Sequence, residues 1–308
     1  MKFRTITAAV GLGVLVACAA PSSRRPEASP TSRPAVTGSA ALTSAPSHVA
    51  MLDGRGVHYK SLGRGGPALV FVHGWTCNLE FWSDQAGVFA RTTRVLAVDL
   101  PGHGASEAPD AYSMDIFARA VEEAMRDAGI DRAVLIGHSM GALVIRQFSR
   151  LFPQKTIALV AVDGSFRPFS GDAPAAEKFL GPYRTEAYPD QLSKMADFMF
   201  SPATPEDRRE QIRRQMLATP QAVIVGAGAA MFDPSLNGED PIPVPVLVVL
   251  APSPMWTPDY EAYVRRIAPR LEYRRVEGAG HFLMIDKPDE FNGILGRFLQ
   301  PLGFRIPA

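Results

Sequence analysis

Gly137-His138-Ser139-Met140-Gly141 is the segment of this 308-residue chain whose residue types and spacing best suit chemistry. Glycines on either side of a serine permit a sharp, strained turn that lifts the hydroxyl clear of its flanking elements, at a helix N-terminus. A serine hydroxyl is a weak nucleophile at neutral pH until an imidazole takes its proton. The six histidines therefore come next. His281 lies in Gly278-Ala279-Gly280-His281-Phe282, His73 in His73-Gly74-Trp75, and His103 in Asp99-Leu100-Pro101-Gly102-His103-Gly104. His138 precedes the serine, whereas His48 and His58 fall at the edge of an N-terminal tether and in an early strand. No pair has His-x-x-x-His spacing, and two cysteines are too few for a four-cysteine zinc site. Neither a metal nor a cofactor is expected.

The elements around these residues alternate between strand and helix. Ala68–Val72, Arg94–Val98, Ala133–Ile136, Ile157–Val162, Val246–Leu250 and Leu271–Val276 read as strands, several of them continuous apolar runs suited to a sheet covered on both faces. Ser113–Ala128 carries apolar residues near helical period, with Ser113 as N-cap and Gly129 as stop. Met140–Phe152 reads as a helix ended by Pro153. This alternation predicts an α/β fold with a mainly parallel, helix-covered central sheet. About 80 residues between the strands ending near Val162 and starting near Val244 show helical patches and no clear strand. An insertion of that length reads as a functional lid, and a helical cap is expected over approximately residues 164–243.

His73-Gly74-Trp75 after a strand, the Asp99–Gly104 motif, the serine elbow and the Gly278–Phe282 motif together resemble the α/β-hydrolase family across roughly residues 50–302. That resemblance implies Ser139 as nucleophile and His281 as general base, with the backbone N–H groups of Trp75 and Met140 as the oxyanion hole. Dehalogenases and epoxide hydrolases of the family use an aspartate nucleophile, which a serine at position 139 argues against. The remaining implied chemistry is hydrolysis of a carboxylic ester through an acyl-enzyme. C–C hydrolases, thioesterases, lactonases and cofactor-free haloperoxidases keep the serine and stay open, as does a non-catalytic ligand-binding protein on the same fold.

The acid partner of the histidine departs from the commonest family pattern. In Ala251-Pro252-Ser253-Pro254-Met255-Trp256, Pro254 stands where the aspartate is expected, and proline cannot orient an imidazole. A minority of the family places the acid after the preceding core strand, the sixth, and Asp163 follows Ile157–Val162 directly. Asp163 is the expected acid, with Asp259 as the competing carboxylate, a Ser-His dyad without an acid or with another residue as a further possibility, and a turn aspartate before Gly164 as the plain alternative. His138, Phe166, Met255 and Trp256 are candidate pocket residues. The cap adds Phe169, Phe179, Tyr183, Tyr188, Phe198, Phe200, Met195, Met199 and Met216, an apolar set suited to an apolar ester. Cys77 reads as a small apolar filler.

The first 48 residues read as an address. Lys2 and Arg4 precede an uncharged stretch over 5–20, too short for a membrane span of about 20 residues but suited to a signal peptide. Leu15-Val16-Ala17-Cys18 resembles a bacterial lipoprotein lipobox, which implies a signal peptide over 1–17 and a lipid anchor at Cys18. Ala19 after the cysteine implies export beyond the inner membrane, to the outer membrane or a periplasm-facing surface of the envelope. Residues 18–48, rich in Pro, Ser, Thr and Ala, read as a flexible tether, leaving 49–308 as the hydrolase domain. The chain's formal charge is +1, and the N-terminal 48 residues hold five basic groups against one acidic. The folded part is thus slightly acidic, which excludes a nucleic-acid partner. A small-molecule ester and a membrane, reached through Cys18, are the expected partners.

Overall fold

The computed structural model describes residues 42–168 and 173–307; Cys18, the signal segment, most of the tether and Phe169 lie outside them. Eight strands form one sheet in the order β1-β2-β4-β3-β5-β6-β7-β8. They are β1 (Ser47–Leu52), β2 (Arg55–Leu62), β3 (Ala68–Val72), β4 (Arg94–Val98), β5 (Ala133–His138), β6 (Thr156–Val162), β7 (Val246–Leu250) and β8 (Leu271–Arg275). From β4 through β8 every neighbouring pair is parallel. The hairpin of β1 and β2 joins antiparallel at one edge; the sequence placed an early strand at His58, now β2, and did not foresee β1.

The central strands are apolar along their whole length because helices cover both faces. β3, β5 and β7 are buried at every residue. At the far edge β8 reads Leu-Glu-Tyr-Arg-Arg and is half-buried to exposed, the charged edge that discourages pairing with another chain. The covering helices are α1 (Ser83–Phe89), α2 (Met114–Asp127) and α3 (Met140–Leu151). Ser113 caps α2, its hydroxyl accepting from the Ile116 N–H, and Pro153 prevents α3 from continuing. Beyond β6 come α4 (Ala173–Leu180), α5 (Tyr188–Met199), α6 (Glu206–Leu217) and α7 (Gln221–Ala230), and no strand occurs among the described residues between Val162 and Val246. The chain closes with α8 (Pro258–Ile267), α9 (Leu283–Asp286) and α10 (Pro288–Leu299). Among the described residues no helix is long and apolar enough to cross a membrane.

Topology brings the motif residues to one edge. Register aligns Val72 with Gly137, His138 with Val162, Val162 with Val249, and Leu250 with Arg275. The C-terminal ends of five parallel strands therefore finish together, and residues 73–75, 139, 163, 251–256 and 276–281 leave the sheet on the same side. After β4 the chain crosses β3 to lay down β5, so the strand order reverses at β3. That switch point is where α/β sheets open a crevice.

Candidate active site

The turn at Ser139 is built by close approach. Its backbone sits at φ 52°, ψ −119°, a conformation a non-glycine residue adopts only when its surroundings hold it there. A Cβ on Gly137 would stand 2.2 Å from the Gly141 carbonyl oxygen, and one on Gly141 would stand 2.5 Å from that of Val72. Both glycines are thus required by the packing of β5, α3 and β3. The Ser139 N–H donates to the Val162 carbonyl at 3.0 Å, pinning the elbow to the end of β6.

Asp163 is the next residue, also left-handed at φ 41° and buried. Its N–H donates to the Val249 carbonyl. Its Oδ1 accepts from the Ala251 N–H at 2.9 Å and the Trp256 Nε1–H at 3.0 Å, while Oδ2 lies 2.7 Å from His281 Nδ1. Asp259, the competing carboxylate, is exposed in the first turn of α8 and makes no hydrogen bond to His281. Thr257 caps that helix and Pro258 opens it, so the chain has already turned outward by position 259.

His281 is held by its main chain as well as its ring. Its N–H donates to the Met199 carbonyl at 3.0 Å, and its carbonyl accepts from His138 Nε2–H at 2.9 Å. The two imidazoles lie 4.6 Å apart, centroid to centroid. Burial, and then the nearby His281, hold His138 well below the ordinary imidazole range, so it is neutral. Donating from Nε2 leaves its buried Nδ1 as an acceptor with no hydrogen-bond partner among the described residues.

The loop after β3 is ordered by a second set of neutral histidines. His73 Nδ1–H donates to the Gly74 carbonyl, and Nε2 accepts from the Leu100 N–H. Burial lowers its pKa despite the nearby Asp99. Burial opposes ionisation of Asp99 as well, yet His58, His73 and the Ala105 and Leu79 N–H groups bring its pKa below the usual carboxylate value. Asp99, His73 and His103 thus brace the loops and do not line the cavity. The N–H groups of Trp75 and Met140 donate to no acceptor among the described residues. Met140 is the first residue of α3, where helix geometry leaves an N–H without an intrahelical partner.

Ser139, Asp163 and His281 all line one cavity of about 1110 Å³. Its far wall comes from the cap, including Phe179, Tyr183, Met195, Phe198, Met199 and Met216. His138, Met255 and Pro254 line it too, as does Cys77, a buried thiol whose pKa burial raises. Trp256 and Phe166, expected as pocket walls, are not part of the lining. Trp256 turns inward because its indole N–H has a buried carboxylate to satisfy, and Phe166 is fully buried in the core, its backbone N–H donating to the Tyr260 hydroxyl. Sequence reasoning thus missed Trp256 as the partner of Asp163. A tryptophan following a proline-rich strand exit, where the usual acid is missing, was the available signal.

The model of the alpha/beta hydrolase family matches residues 69–294. This chain belongs to the α/β-hydrolase family. It is 26% identical to mouse epoxide hydrolase 3 over 284 residues, covering 81% of this chain and 75% of that protein. An enol-lactonase from Burkholderia xenovorans superposes with a TM-score of 0.74 at 24% identity, over 82% of this chain and all of the other (100%). A thermophilic esterase from Thermogutta terrifontis gives a TM-score of 0.72 at 23% identity, over 84% of this chain and 99% of the other. At these identities the two solved structures establish the fold; their activities are their own. The family and its members support a hydrolase.

Proposed function

We propose that this hydrolase cleaves carboxylic esters of apolar character through an acyl-enzyme, with Ser139 as nucleophile, His281 as general base and Asp163 as the acid. The observation that carries the reading is the 2.7 Å contact between His281 Nδ1 and Asp163 Oδ2, made by a buried carboxylate beside the strained serine. Nδ1–H donates to Asp163, which leaves Nε2 as the basic atom for the serine proton. Attack of Oγ on the ester carbonyl forms a tetrahedral oxyanion, for which the Trp75 and Met140 N–H groups are the donors. Each such donor is worth about 3 kcal/mol in the transition state. Collapse expels the alcohol, protonated by His281, and water then hydrolyses the acyl-Ser139 ester by the same steps in reverse order. A serine at position 139 disfavours the epoxide chemistry named for the mouse relative, since that reading calls for a carboxylate nucleophile. Hydrolysis of nitrophenyl esters by the protein from residue 42 onward, which keeps the buried Leu42 and the whole of β1, and by its Ser139→Ala variant tests the assignment. Loss of turnover and of fluorophosphonate labelling in the variant is expected, and equal rates would overturn it.

The same reading takes the chain as an exported lipoprotein, anchored through Cys18 and tethered by the residues between it and Leu42; Ser47 and His48, read from sequence as tether, belong to β1. Labelled palmitate is expected to be incorporated into the full-length protein and not into Cys18→Ser; no label in the parent, or equal label in the variant, would exclude the anchor.

A further inference from the structure

We propose that Asp286 is a positioning residue that latches the cap onto the loop carrying His281, so that the seating of the cap sets the placement of the imidazole. The inference rests on His281 as the base. Asp286, at the end of α9, accepts three hydrogen bonds through its carboxylate. Oδ2 receives the Gly280 N–H at 2.7 Å and the Ser201 hydroxyl at 2.9 Å; Oδ1 receives the Thr204 hydroxyl at 2.7 Å. Ser201 and Thr204 belong to the turn that follows α5, whereas Gly280 immediately precedes His281. One carboxylate therefore grips cap and base loop together, through charge-assisted bonds roughly twice as strong as neutral ones.

The cap turn is already folded into a hook. The Ser201 N–H donates to Thr204 Oγ1, the Ala203 N–H to Ser201 Oγ, and the Arg209 guanidinium to the carbonyls of Ser201 and Thr204. Ser201 and Thr204 are buried. The approach is too close for a side chain: a Cβ on Gly280 would stand 2.7 Å from the Met199 carbonyl oxygen and 2.9 Å from the Ser201 nitrogen. That same Met199 carbonyl receives the His281 N–H. Met199, Phe200, Ser201 and Pro202 also line the cavity. The wall that meets a substrate is thus continuous with the group that holds the main chain of the base, and a ligand that displaces this wall displaces His281. Substrate fit in the cap becomes a condition for correct alignment of the imidazole.

The test severs the cap side of the latch and leaves Asp286 on Gly280. Ser201→Ala/Thr204→Val is compared with Arg208→Gln, which breaks a different cap-to-core tie, the Arg208–Asp84 pair between α6 and α1. The double variant is expected to lose about 10-fold or more in kcat with KM little changed, since small misplacement of a reacting group carries a penalty of that order. Fluorophosphonate labelling of Ser139 is expected to slow in parallel in the double variant and to stay near the parent rate in Arg208→Gln; the melting temperature falls further in the double variant, which also removes the acceptors of the Ser201 and Ala203 N–H groups. Hydrogen exchange at the Gly280 and His281 amides reads the latch without catalysis and is expected to accelerate only in the double variant. Unchanged exchange, or kcat within about twofold of the parent, overturns the latch. If the unmodified protein neither hydrolyses esters nor takes the label, the serine assignment fails, and the exchange result still decides whether the latch exists.

Discussion

Replacing Asp163 by asparagine should change one proton's address and little else. Asparagine tolerates the left-handed backbone at this position, φ 41°, so the turn is retained. The amide orientation is dictated by Oδ1, which accepts from both the Ala251 N–H and the Trp256 indole. Reversing the amide would set its NH₂ against those two donors, at about 1–3 kcal/mol for each buried group left unsatisfied. The oxygen therefore stays on the donor pair and the NH₂ faces His281 Nδ1. That nitrogen must now accept, which moves the imidazole proton to Nε2 and removes the lone pair that would receive the Ser139 proton. A wrong-tautomer histidine lowers turnover about 10⁴-fold, or about 5.5 kcal/mol of barrier at about 1.36 kcal/mol per decade. The assay is nitrophenyl ester hydrolysis at saturating substrate, with thermal melting to show that the variant is folded. KM should hold, and Asp259→Asn should stay within about twofold of the parent. Either a loss below about tenfold in Asp163→Asn or an equal loss in Asp259→Asn would refute the assignment of the acid.

Further expectations concern the supports of the site. Trp256→Phe removes a donor from the buried carboxylate of Asp163 and is expected to destabilise the fold by about 2 kcal/mol; urea unfolding measures it, and an unchanged midpoint would show that the bond contributes nothing. His73, His103 and His138 are neutral in the fold because burial lowers their pKa values, His103 to about 3 from an ordinary 6.5. Below about pH 6.5 the unfolded chain binds protons that the folded chain refuses, so stability falls as pH falls, by up to about 1.4 kcal/mol per unit from His103, with His73 and His138 acting in the same direction. Unfolding free energy that stays flat between about pH 7 and pH 5 would contradict this. Phe198 lines the cavity yet is 83% exposed. Phe198→Ala should therefore raise KM for aryl or longer acyl esters by several-fold while leaving the melting temperature unchanged, and a KM equal to the parent's would remove Phe198 from substrate binding.

Local pattern was enough for the sheet core and for the serine turn. Continuous apolar runs such as Ala68–Val72 and Val246–Leu250 have one stable use in a chain that alternates with helices, and Gly137 and Gly141 flank Ser139 because any Cβ there would meet backbone. The β1–β2 hairpin was less legible, since its residues Val49 and Met51 face solvent at an edge and blur the alternation that marks a strand. Helical patches also marked out the interval between Val162 and Val246, where the described residues hold helices and no strand, even though Val223-Ile224-Val225 is a β-branched run that the structure places in α7.

Pairings across distance were settled only by the tertiary structure. The sequence favoured Asp163 over Asp259 because it leaves its strand directly, but which of the two meets the imidazole depends on contacts across the fold. Parallel register carries Asp163 to the strand ends beside His281, 118 positions away, whereas Thr257 and Pro258 start a helix that carries Asp259 into solvent. Trp256 and Phe166 look like pocket walls by type, yet burial needs turn one onto a carboxylate and the other into the core. The grip of Asp286 on Ser201, Thr204 and Gly280 joins segments about 80 residues apart and leaves no local trace. A motif encodes the shape of its own turn; which turn it meets is decided by the sheet order that folds them to one edge.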